Sequence, residues 1–238
     1  YDGIWQWSLD QPEAFWNLVW EFCGVEGQRH GEVLRNAEDL LRCEFFPDAK
    51  LNYAQNLLAA KGAKPSLILH RESGERIELS HSELLAQVSR LQQALRALGV
   101  TRGDRVAGYL PNIPQAMVAM LAATSLGAVW SSCSPDFGLS GLKDRFGQLE
   151  PKVLFTADGY TYNGKFFDSL ATAAALSMQL PGLKQVVVVP FCSAEPDIPA
   201  FGAKVATLES LCRDYSEKPL EFTQVGFRDP LFILFSSG

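Results

Sequence analysis

Residues 105–133 read RVAGYLPNIPQAMVAMLAATSLGAVWSSC, and the order of elements in this stretch decides the fold. Arg105 to Leu110 is a short run of strand character. Pro114 then stands where a first helical turn tolerates it. The residues from Pro114 to Leu126 are apolar nearly all round, which marks a buried helix rather than a surface one. Gly127 closes it, and Ala128 to Cys133 is again a strand. Strand, buried helix, strand is the unit from which parallel sheets are built.

Working outward, the alternation continues. The spacing predicts a helix over 140–149, stopped before Pro151, and a strand over 152–156. A helix over 167–180 and a strand over 185–189 follow. The last of these, "QVVVV", is β-branched without alternation, as in strands buried on both faces. Residues 190–220 carry several prolines and read as an irregular connection. A final strand is expected over Leu231 to Phe235. Upstream, Leu67, Leu69, Ile77 and Leu79 alternate about a turn at Ser73-Gly74. Ser80 and Glu83 form a capping box. They open an amphipathic helix whose apolar face is Leu84, Leu85, Val88, Leu91, Leu95 and Leu98, closed by Gly99. The fold class is therefore α/β, a layered parallel β-sheet with flanking helices and right-handed crossovers.

The first sixty residues differ. They read as a helical, aromatic-rich region that packs onto the larger unit, with four of the five tryptophans at Trp5, Trp7, Trp16 and Trp20. Ser8 and Asp10 offer N-cap oxygens ahead of Pro12. Two parts are expected, residues 1–60 and residues 61–238.

Composition narrows the function classes. Of 238 residues, 47% are hydrophobic and 20% charged, with a net charge of −6. These are ordinary values for a globular chain with a core, and they argue against nucleic-acid binding. No stretch reaches the ~18 apolar residues of a membrane span. Cys23, Cys43, Cys133, Cys192 and Cys212 are widely spaced, which suits free thiols in a reducing compartment, and a cytoplasmic location is expected. The chain begins at Tyr1 rather than methionine, which leaves open whether a targeting segment precedes it. No G-x-G-x-x-G, complete Walker A, H-E-x-x-H or G-x-S-x-G occurs. His30, His70 and His81 lack ligand partners at useful spacing. Residue chemistry alone stops at an α/β domain with a ligand site at the carboxyl ends of its strands.

Three segments carry a resemblance. "GDRVAGYLPNIPQAMVAMLAATSLGAV" resembles the adenylate-forming acyl-CoA synthetase superfamily at large. "LGAVWSSCSPDFGLSGLKDRFGQLEPKVLFTADGYTYNGK", residues 126–165, resembles its acetoacetyl-CoA synthetase branch, and "FFPDAKLNYAQNLL", residues 45–58, resembles the segment joining the N-terminal region to the main domain there. The resemblance implies a ligase of lipid and ketone-body metabolism. Its substrates are acetoacetate, ATP with Mg²⁺, and CoA, and the remainder of its own chain is its other partner. It implies no membrane partner and no protein nucleophile, so no catalytic residue is assigned and Cys133 is excluded from that role. "ILFSSG" is similar to the opening of a phosphate loop of the form S-S-G-T-T-G-x-P-K, which assigns Ser236, Ser237 and Gly238 to ATP phosphate. "TADGYTYNGK" matches a stretch in which related acetyl-CoA synthetases place two arginines on the phosphates of CoA. Tyr162 and Lys165 stand at those positions, with Asn163 and Gly164 between. Lys165 keeps a cation but not the guanidinium fork. Trp130 is read as core, and Asp136 with Ser140 as helix-start residues. By this reading residues 1–238 alone would not form a thioester. Two alternatives stay open: a synthetase for acetate or propionate, and a non-catalytic nucleotide- or CoA-binding module.

Overall fold

The structure, a computed structural model, describes residues 1–59 and 64–235. Helices α1 (Asp2–Asp10) and α2 (Pro12–Phe22) open the chain. The two-residue strands β1 (Gly27–Gln28), β2 (Leu34–Arg35), β3 (Glu44–Phe45) and β4 (Lys50–Leu51) follow, then α3 (Tyr53–Leu58). Next come β5 (Leu67–His70), β6 (Arg76–Leu79) and α4 (His81–Ala97). The alternating part is β7 (Arg105–Tyr109), α5 (Pro114–Ser125), β8 (Val129–Cys133), α6 (Leu139–Leu149) and β9 (Val153–Ala157). The chain continues with β10 (Gly159–Tyr162), β11 (Lys165–Asp168), α7 (Leu170–Ser177), β12 (Gln185–Val189), β13 (Lys204–Thr207) and α8 (Leu208–Cys212).

Five strands form one parallel sheet in the order β13-β12-β9-β7-β8. Alternate residues of β7, β8, β9 and β12 enter two cores. Val106, Trp130, Val153, Phe155 and Val187 meet α4 and α5 on one face. Ala107, Leu154, Val186 and Val188 meet Leu142 and Phe146 of α6 and Leu176 of α7 on the other. The sheet is thus covered on both faces, which is why its strands show no polar alternation. Helix α5 is apolar all round because it lies between the sheet and α4, with Ala119, Ala122 and Ala123 fully buried. The capping box of α4 is present, with Ser80 and Glu83 bonded reciprocally. Gly99 and Gly127 end α4 and α5 with φ of 78° and 71°. Among the described residues no helix is long and apolar enough to cross a membrane.

Several expectations are corrected. The first sixty residues are helical only at their two ends, and the middle is held by short strand pairs. Three of the tryptophans there have aromatic partners within their own region. Trp7, Phe15, Trp16 and Phe45 form an edge-to-face chain with centroids 5.1–5.5 Å apart, and Trp20 tilts on Phe46 at 4.8 Å. No residue of α1 or α2 is buried. Asp10 belongs to α1, the Ser8 hydroxyl donates to the Trp5 carbonyl, and Gln11 is the N-cap of α2. Gly138, not Asp136 or Ser140, is the N-cap of α6.

Phe167 lies in a hairpin strand, so the helix predicted from it begins only at Leu170. The supposedly irregular stretch carries β13 and α8. The segment 231–235 is not a full strand. It touches the sheet through one parallel bridge, Phe232 to Trp130, with Trp130 N donating to Leu231 O at 3.0 Å and Ile233 N to Trp130 O at 3.1 Å.

Candidate functional site

In a parallel sheet a crevice opens where consecutive crossovers leave for opposite faces. Here the chain leaves β7 for α5 on one face, and leaves its neighbour β9 for α7 on the other. Two cavities meet at that point. One, of about 620 Å³, is lined by Asn112, Trp130, Cys133, Asp136, Tyr160 and Tyr162 among others. The second, of about 420 Å³, is lined by Arg71, Glu72, Asn112, Tyr160, Phe166 and Cys192 among others. Asn112 and Tyr160 belong to both.

The β10–β11 hairpin forms the outer wall. Its register pairs Tyr162 with Lys165 and Tyr160 with Phe167. Asn163 and Gly164 make the two-residue connection with φ of 50° and 72°. Both values are left-handed, the requirement of the turn that matches strand twist, and Asn-Gly meets it at least cost. Cross-strand partners share a face, so the Tyr162 ring and the Lys165 ammonium stand side by side at the tip. Both are exposed. The turn amides face the β5–β6 hairpin: Asn163 N donates to Glu72 Oε1 at 2.9 Å and Gly164 N to Glu72 Oε2 at 3.2 Å.

A chain of bonds fixes that arrangement. Asp158, 4% exposed at the end of β9, accepts from the amides of Phe191 at 2.7 Å, Cys192 at 3.0 Å and Ser193 at 2.7 Å. Three successive amides on one carboxylate hold the loop after β12. That loop in turn holds Arg71, whose guanidinium lies 4.2 Å over the Phe191 ring and donates to the Phe191 carbonyl at 2.7 Å. Arg71 precedes Glu72, so the glutamate is delivered to the hairpin tip.

The inner wall carries a hydrogen-bonded carboxylate, Asp136. Tyr160 Oη donates to Asp136 Oδ1 at 2.8 Å, and Ser134 Oγ donates to Asp136 Oδ2 at 2.8 Å. Burial first, and then the bond to Asp136 and its charge, push the Tyr160 phenol up to about 12. A raised value means the folded state holds the proton more tightly. The stability this pair contributes is whole below the ordinary tyrosine value of 10.0 and is lost as pH rises toward 12. In an ultraviolet titration Tyr160 should remain a phenol above pH 10, as should Tyr109, which burial also pushes up, and Asp136→Asn should lower the Tyr160 value toward that of the exposed tyrosines. Burial also pushes up the Cys133 thiol, which leaves it poorly suited to act as a nucleophile.

Comparison with known proteins now bears on this geometry. The model of the AMP-binding enzyme family matches residues 56–238, and that of the acetyl-coenzyme A synthetase N-terminus matches residues 1–57. The chain belongs to the AMP-binding enzyme family. An acetoacetyl-coenzyme A synthetase of Rhizobium meliloti (strain 1021) is 44% identical over the whole chain, which covers 36% of that protein. An acetoacetyl-CoA synthetase of Macaca fascicularis is 40% identical, again over the whole chain and 37% of the relative. Among solved structures, an acetoacetyl-CoA synthetase from Streptomyces lividans superposes with a TM-score of 0.89 at 42% identity, over 98% of this chain and 35% of that one. The chain thus spans about a third of the length of the relatives it matches.

Of the site residues expected from the sequence, Tyr162, Asn163, Gly164 and Lys165 come together at one hairpin tip. Ser236, Ser237 and Gly238 lie outside the described residues. Sequence reasoning missed Arg71, Glu72, Asp136, Asp158 and Tyr160. The Asn163-Gly164 pair was a hairpin signal in plain view. An acid directly after a buried strand could have marked Asp158. Nothing local announces Glu72, which lies 91 residues from its partner Asn163.

Proposed function

We propose that the chain is the N-terminal part of an ATP-dependent ligase that joins acetoacetate to CoA. The observation that carries this reading is similarity over the chain's whole length, N-terminal region included, to proteins named for that reaction. In the first step the acetoacetate carboxylate attacks the α-phosphorus of ATP. A carboxylate oxygen–phosphorus bond forms, and the bond to pyrophosphate breaks with its electron pair leaving on pyrophosphate. In the second step the thiolate of CoA attacks the acyl carbon and expels AMP, leaving acetoacetyl-CoA. Both steps rest on positioning and charge stabilisation rather than on a protein nucleophile.

Three parts of the chain are given roles. The hairpin tip, with Tyr162, Asn163, Gly164 and Lys165, receives a phosphate of CoA, and the adjoining 620 Å³ cavity at the strand ends takes part of the ligand. Ser236, Ser237 and Gly238 open the loop that holds the ATP phosphates. Support comes from residues 231–233, which run parallel beside β8 toward the same strand ends. Residues 1–60 form the family's N-terminal region and residues 61–238 the start of its AMP-binding domain, a division supported by the meeting of the two family models near residue 57. Among the described residues no group of three His, Cys, Asp or Glu side chains could hold a metal, and Mg²⁺ is assigned to the nucleotide phosphates. The reaction belongs to ketone-body and lipid metabolism in the cytoplasm.

The test uses the protein at its full natural length. ATP-dependent thioester formation should be faster with acetoacetate than with acetate or propionate. A preference for either of those acids, or binding of nucleotide without turnover, would replace this reading. Lys165→Gln should raise KM for CoA about 3- to 10-fold, as loss of one exposed charge–phosphate contact does, and leave KM for acetoacetate unchanged.

A further inference from the structure

The tip of the β10–β11 hairpin already holds an anion, and it is the protein's own. In a two-residue connection the flanking pair closes the ladder, so the two central N–H groups have no backbone partner within it. Here they meet the two oxygens of one carboxylate, one oxygen to each amide, at 2.9 and 3.2 Å. Successive amides converging on paired oxygens form the geometry that also takes a phosphate. The glutamate is exposed, so it can move into solvent at small cost. The backbone that carries it is fixed through Arg71 and the Phe191 loop.

We infer that Glu72 occupies the position of a ligand phosphate, so that the two exclude each other at the hairpin tip. The inference rests on the coenzyme reading of that tip and adds a built-in competitor to it. Two anions cannot share two amides, and at contact distance they repel. A phosphate that takes the amides gains Lys165 beside it and displaces Glu72. Its apparent affinity is then the intrinsic one reduced by the fraction of time the amides are free. Displacement also uncouples the β10–β11 hairpin from the β5–β6 hairpin, since these two bonds join the tips.

Glu72→Gln separates competition from bracing. It removes the charge and one of the two acceptors while keeping the size. In the protein at full natural length, KM for CoA should fall about 3- to 10-fold, the scale of one exposed ionic competitor. KM for dephospho-CoA, which lacks the 3′-phosphate, should change less than about twofold by the same argument. Amide hydrogen exchange at Asn163 and Gly164 should rise in the variant. A glutamate that merely braces the hairpin would give the opposite, a variant that binds both coenzymes more weakly and to the same degree. An unchanged or raised KM for CoA in a protein that prefers CoA to dephospho-CoA overturns the role of Glu72 alone. No preference between the two coenzymes in the unsubstituted protein, together with no effect of Lys165→Gln, overturns the coenzyme reading of the tip and this inference with it.

Discussion

Phe155→Ala should destabilise the protein by about 4 kcal/mol, the middle of the range for a buried phenylalanine cut to alanine. Phe155 is fully buried at the centre of β9, the middle strand of the sheet. It stands in register with Gly108 on one side and Val187 on the other. Its ring lies 6.3 Å from that of Trp130. The Trp130 ring in turn fills the space above Gly108, where a Cβ would meet its carbons at 2.8 Å. Strand backbones locked by hydrogen bonds on both sides cannot close in on the void. The cavity therefore remains, and the full cost is felt. In a domain of this size the melting temperature should drop by about 12 °C. Phe155→Leu, which leaves most of the volume filled, should cost less than half as much. A loss below about 1 kcal/mol for the alanine variant would show that the strands can collapse.

Asn52→Leu should cost about 3 kcal/mol, because one buried side chain serves three parts of the chain at once. Asn52 is fully buried. Its Oδ1 caps α3 by accepting from Gln55 N at 3.2 Å. Its Nδ2 lies 3.0 Å from the Thr124 carbonyl, 3.2 Å from that of Ser125 and 2.8 Å from that of Thr223. Two of those carbonyls end α5, and the third belongs to the segment that returns past the N-terminal region, where Val225 bridges to Leu51. Leucine keeps the branching at Cγ but has no donor, and its bulkier methyl groups leave no room for a water to replace one. Asn52→Asp keeps the cap oxygen but turns a carboxylate toward the three carbonyls, so it should cost more than Asn52→Leu at neutral pH. Chemical denaturation of both variants checks this. If Asn52→Leu and the unsubstituted protein unfold at the same midpoint, the carbonyls are satisfied without it.

The two variants touch different levels of legibility. Phe155 could be placed in the core from the sequence, because "KVLFT" sits in an alternating series of strands and helices. Asn52 could not. Its cap on α3 is local, but its other partners lie 72, 73 and 171 residues away, and no spacing rule reaches that far. The same division runs through the candidate site. Tyr162 and Lys165 were singled out by resemblance, and Asn163-Gly164 names its own turn. The carboxylate that meets the turn comes from another hairpin, and Asp136 was assigned to a helix start when its oxygens serve Tyr160 and Ser134. The N-terminal region was misread for a related reason. Aromatic residues at helical spacing suggested helix throughout, but the middle is held by short strand pairs, and Trp16 and Trp20 find Phe45 and Phe46 there.

By itself, then, the sequence determined the elements whose cause is local. These are the buried strands, the all-apolar α5, the capping box of α4 and the glycine ends of both helices. Solvent exclusion, capping and backbone sterics act over a few residues, and a parallel α/β sheet follows from their alternation. Only the tertiary structure decided strand order, the point where crossovers part to open the crevice, and the relay from Asp158 through the Phe191 loop and Arg71 that sets Glu72 on the hairpin tip. Those depend on which distant polar groups share the little space left by a close-packed core, where each buried donor or acceptor must find a partner whatever its distance along the chain.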